Sequence, residues 1–125
     1  MKTTVEEIQN TLISLLKKHQ PSLKINAETE VKFEVSGTIP TMQGKQKVDG
    51  FYFSSVIPKA KDCRLYFFPI YTDADAFANI SPELRKCLKG KSCFHIKKMD
   101  EQLEKDIEAM IDKGIEIYRA KAIVV

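Results

Sequence analysis

The sequence predicts an α+β fold, a two-layer sandwich in which N- and C-terminal helices and one short helix cover a mainly antiparallel sheet of about four to five strands. Three observations predict it. Both ends of the chain carry apolar residues at three- and four-residue spacing, the mark of amphipathic helices. Residues 31–36 alternate apolar and polar, the mark of a strand with one wet face. Between these lie two longer apolar stretches, Val48–Ile57 and Cys63–Tyr71, bounded by proline and polar connectors.

The first helix starts at Thr4, with Glu7 three residues on to complete a capping box. Val5, Ile8, Leu12, Leu15 and Leu16 form its stripe, and Pro21 forces an end near His19. Val31, Phe33 and Val35 then alternate with Lys32, Glu34 and Ser36. Gly37 to Lys47 reads as a loop or hairpin. In the strand from Val48 to Ile57, alternation places Phe51, Phe53 and Ile57 on one face and Tyr52 and Val56 on the other. Cys63–Tyr71 is apolar enough to be central, with pairing weakened at Pro69.

Asp73 to Ala76 opens one helical turn. Ser81, Pro82 and Glu83 start a short helix expected to stop at Gly90. Ser92 to Ile96 is a strand with Cys93 and His95 on one face. Asp100 caps the last helix, whose buried stripe is Leu103, Ile107, Met110, Ile111, Gly114 and Tyr118. The apolar tail, Ala122–Val125, is expected either to add an edge strand or to fray.

The 125 residues are one domain's worth, and no linker or repeat divides them, so residues 1–125 read as a single domain. Twenty basic against seventeen acidic residues leave a net charge of only +3, with the signs mixed along most of the chain. That balance argues against a dedicated nucleic-acid binder. The basic stretch Arg85, Lys86, Lys89, Lys91, Lys97 and Lys98 reads as a solvated helix end and strand edge. No stretch is apolar enough to span a membrane, and the first residues do not form a secretory leader. Cys63, Cys87 and Cys93 have no CxxC spacing and are expected as reduced thiols, which suits a cytoplasmic setting. Monomer and homodimer are both open.

Little chemistry is written in the residues. The only histidines are His19 and His95. Cys93 and His95 share a face, which permits a thiol–imidazole pair, but a plain strand pair is the simpler reading. The glycines match no phosphate-cradling motif. Glu104, Glu108, Asp112 and Glu116 follow one another at four-residue steps and form a carboxylate ridge. Such oxygen ligands suit a hard cation held weakly at a surface, although Lys105 and Lys113 lie close by. Tyr52, Tyr66, Phe68 and Tyr71 would line a ligand face if the helices leave one side of the sheet open.

Ile80–Tyr118 resembles the C-terminal part of the YdhG-like family, small bacterial domains of largely unknown function. The likeness lies in the proline-started helix, the Lys89–Ser92 segment, a strand ending in a basic pair, and the closing amphipathic helix. Ser36–Thr41 is similar to that family's S-x-G-x-P-T loop, with the glycine one residue early. The resemblance implies an α+β domain, and the lack of a recognisable active site in the residues makes a non-enzymatic one the expectation. Some members are described as frataxin-like iron chaperones. That would imply iron, weakly bound, and a protein partner in iron handling, with Glu104, Glu108 and Asp112, and then Glu6 and Glu7, as the positions to inspect.

Overall fold

In the computed structural model, which describes residues 1–125, the chain opens as the spacing predicts. Thr4 caps α1 (Val5–Lys17): its hydroxyl accepts the Glu7 amide at 3.2 Å, and the Glu7 carboxylate accepts the Thr4 amide at 3.3 Å. The two bonds satisfy amides that a helix start otherwise leaves bare. Ile8, Leu12, Leu15 and Leu16 form the buried stripe.

There follow β1 (Leu23–Thr29), β2 (Lys32–Gly37), β3 (Thr41–Gln43), β4 (Gln46–Val48), β5 (Tyr52–Pro58) and β6 (Cys63–Phe67). Next come α2 (Pro69–Thr72), a 3-10 turn over Ala74–Phe77, α3 (Pro82–Cys87), β7 (Leu88–Lys89), β8 (Cys93–Ile96) and α4 (Glu101–Ala120). The main sheet has the order β1-β2-β5-β6-β8-β7, with every neighbouring pair antiparallel. The expected α+β sandwich is present, with six strands in the main sheet where four to five were expected.

The extra strands have identifiable causes. β1 is an edge strand in which only Leu23 is fully buried, so it shows no clean alternation. β7 is two residues long. It takes the place of the expected run of α3 to Gly90: the helix ends at Cys87, and Gly90 instead turns the chain back towards β8 with φ +75. The segment after Gly37 is a separate hairpin of β3 and β4.

A bulge in β5 corrects the expected facing. Val35 pairs with Ser54, yet Ser36 pairs with Tyr52, so Phe53 is an extra residue in the ladder. One extra residue reverses the alternation beyond it. Phe53 and Val56 therefore both enter the core, while Tyr52 and Ile57 are only half-buried. β6 lies between β5 and β8 in the interior of the sheet and stops at Phe67, before Pro69, which begins α2.

One hydrophobic cluster joins Phe33, Val35, Leu65, Phe67, Phe94 and Ile96 of the strands to buried residues of all four helices. The helices therefore share one side of the sheet. Gly114 allows the close approach of α4: a Cβ there would lie 2.7 Å from the Phe67 ring and 3.1 Å from the Phe53 ring. The tail neither frays nor joins the sheet. Ile123 and Val124 are buried, the Val125 amide donates to Thr38 Oγ1 at 3.1 Å, and its carbonyl accepts the Ser22 hydroxyl at 2.8 Å.

Candidate functional site

The opposite side of the sheet carries no helix. Its residues alternate with the core positions: Glu34 pairs with Ser55, Ser55 with Tyr66, Ile57 with Arg64, Tyr66 with Cys93, and Arg64 with His95. Except for buried Ser55, these side chains are half-buried, whereas their neighbours Leu65 and Phe94 are fully enclosed.

Aromatic rings lead from this side, at Tyr52, past Phe68 to Tyr71 on α2. Tyr52 and Phe68 have centroids 5.5 Å apart, and Phe68 and Tyr71 are again 5.5 Å apart. Tyr71 on α2 is 51% exposed, the largest exposure of any aromatic ring here, and Lys91 Nζ lies 5.6 Å from its centroid. The Tyr52 hydroxyl is 2.6 Å from Ser55 Oγ, beside Tyr66 in the next strand. Burial pushes the Tyr52 phenol up to about 12, with the Ser55 hydrogen bond pulling the other way. Burial also raises the Tyr66 phenol, helped by Cys93. Both rings are neutral at physiological pH and present an apolar body with a polar tip. Of the ring residues expected on a ligand face, Tyr52, Phe68 and Tyr71 are brought together in one row, with Tyr66 beside Ser55.

The Cys93 and His95 pair shares a face as expected, and no hydrogen bond joins the two side chains. His95 Nδ1 instead lies 3.7 Å from Asp62 Oδ2, and the same carboxylate accepts from Arg64 Nε at 3.3 Å. Burial pushes the Cys93 thiol up, outweighing the downward pull of Tyr66 and Arg64. An attacking thiolate needs the reverse shift. Asp62 was not legible as a partner, because nothing in its connector shows that β6 and β8 will bring it to His95.

The carboxylate ridge has partners that its own helix does not supply. Lys2 donates to Glu104 at 2.6 Å, Lys18 to Glu108, and His19 Nε2 lies 2.9 Å from Asp112 Oδ1. The N-terminal segment and the end of α1 thus lie along α4 as a seam of two ion pairs and one histidine–carboxylate contact. Lys105 and Lys113, the expected neutralisers, form no ion pair. Glu7 is engaged in the cap of α1, where bonds from Thr4 hold its carboxyl below the usual range. No group of three or more His, Cys, Asp or Glu side chains is gathered where it could hold a metal ion.

A groove of about 670 Å³ opens where β8 meets α3 and the start of α4. Lys86, Lys89, Lys97 and Lys98 line it, with His95 and Asp62 at its sheet side. The arrangement defines an α+β two-layer sandwich with one sheet face free of helices. No family model, curated protein or solved structure matches the chain. No helix is long and apolar enough to cross a membrane.

Proposed function

We propose that this domain is a non-enzymatic binding module that takes a small ligand or a protein partner on the aromatic row that leads from the helix-free face of its sheet, at Tyr52, to Tyr71 on α2. The observation that supports this most is the continuous row Tyr52–Phe68–Tyr71, which ends on a half-exposed ring. Rigid aromatic rings supply contact area at a low cost in side-chain entropy. An apolar patch on an otherwise charged surface is the usual mark of a binding site. The YdhG-like resemblance fits a non-enzymatic domain of this fold. Its iron-delivery version draws no support from Glu104 and Glu108, each already paired with a lysine, or from Asp112, which is in contact with His19.

The test is a titration of isotope-labelled protein with indole, followed by amide chemical shifts. The shifts are expected to gather at Tyr52, Ser55, Tyr66, Phe68 and Tyr71, and to vanish in a Tyr71→Ala, Tyr66→Ser variant. Shifts that scatter, or that collect on the outer surfaces of α1 and α4, would remove the sheet face as the binding surface.

A further inference from the structure

The lysine-lined groove beside β8 is distinct from the aromatic row, and its lysines outnumber its acids. None of Lys86, Lys89, Lys97 and Lys98 takes part in an ion pair, and all four are exposed. Three acids also line the groove, and one of them is paired with a cation. Asp62 accepts from Arg64 and faces His95, and Asp100 accepts the Leu103 amide at 2.8 Å as the cap of α4. The capping bond leaves Asp100 its charge, so four lysines face two carboxylates, Glu83 and Asp100, that no cation pairs. Four like charges converging on one concavity without partners repel one another, and an anionic occupant relieves that repulsion.

From this convergence we infer that the groove docks an acidic peptide segment of a partner protein, with glutamate or aspartate side chains on the lysines and an apolar side chain against Cys87 and Leu103. Both of those residues line the groove. The lining argues against nucleic acid. It contains no aromatic ring on which a base could stack, and no guanidinium to fork onto a phosphate. Its lysines are point charges around a single concavity, not a stripe along a surface. Carboxylates spaced along an extended peptide match four separate ammonium groups.

The experiment is fluorescence anisotropy with a labelled glutamate-rich peptide carrying a central leucine, run beside a labelled oligothymidylate. Three proteins are compared: the parent, a groove variant (Lys86→Gln, Lys89→Gln, Lys97→Gln, Lys98→Gln), and a control that loses the same charge elsewhere (Lys24→Gln, Lys45→Gln, Lys47→Gln, Lys113→Gln). Circular dichroism verifies that both variants fold. The peptide is expected to bind the parent and the control alike, and the groove variant at least about tenfold more weakly. Raising salt should weaken the parent's binding towards that of the groove variant. The inference is overturned if the parent does not bind the peptide, if the groove variant binds it as the parent does, if the control loses as much as the groove variant, or if the oligothymidylate binds more tightly than the peptide.

Discussion

His19 Nε2 lies 2.9 Å from Asp112 Oδ1, joining the end of the first helix to the middle of the last. The His19 side chain is only 18% exposed, so the contact sits at the margin of the core and not on a mobile tip. A double-mutant cycle with His19→Ala and Asp112→Ala, read by urea unfolding, should give a coupling of about 0.5 kcal/mol, the scale of a pair with one partner in water. Additive effects would mean that the two residues do not interact in solution.

The same seam sets an expectation for iron. Anaerobic titration calorimetry with ferrous iron should give the same heats for the parent and for a Glu104→Gln, Glu108→Gln, Asp112→Asn variant, while that variant unfolds at lower urea. Breaking three cross-helix pairs weakens the α1–α4 contact without removing a metal site. A heat present in the parent and lost in the variant would restore the ridge as a ligand set.

Alkaline behaviour follows from the shifted groups. The Tyr52 phenol stands at about 12 when folded, raised chiefly by burial, against an ordinary value of about 10. The folded state therefore holds this proton more tightly than the unfolded state. Its contribution is complete below about pH 10 and is lost as pH rises from there to about 12. Lys18 and Lys2 act in the same direction, because their hydrogen bonds to Glu108 and Glu104 raise them. Stability measured against pH should fall across this window, and Tyr52→Phe should flatten the fall. The same variant should lose about 1 kcal/mol at neutral pH through the broken Ser55 hydrogen bond. An unchanged alkaline slope would contradict the burial of Tyr52.

Gly114 separates packing from helix propensity. Alanine would favour the helix by about 1 kcal/mol. Its methyl group would press on the Phe67 ring, which is fully buried and held edge-on by Phe53 and Phe77. Overpacking of that kind costs about 1–3 kcal/mol. Gly114→Ala should therefore destabilise by up to about 2 kcal/mol net, measured by thermal unfolding. A stabilised variant would mean that α4 stands further from the sheet.

Local signals made much of this fold legible. The Thr4 box, the Asp100 cap, the alternation of Phe33 and Val35, and the stripe from Leu103 to Tyr118 each act within a few residues. What could not be read depends on partners distant in the chain. β1 is a strand because β2 pairs with it, not because its own side chains alternate. The bulge at Phe53 exists only in the register between β5 and β2. Spacing revealed the ridge of Glu104, Glu108 and Asp112, but Lys2, Lys18 and His19 reach it from about a hundred residues away, where periodicity is blind. The basic stretch was visible as a run of lysines, while its gathering into one groove needed the turn at Gly90 and the pairing of β7 with β8.

The most direct measurement is solvent relaxation enhancement by a neutral gadolinium chelate, read on side-chain and amide protons along β6 and β8. One open sheet face requires alternation. Protons of Arg64, Tyr66, Cys93 and His95 should be strongly broadened, while those of Leu65, Phe67, Phe94 and Ile96 stay sharp. Equal protection of both sets would mean that something covers the second face as well, and the binding surface proposed for it would be gone.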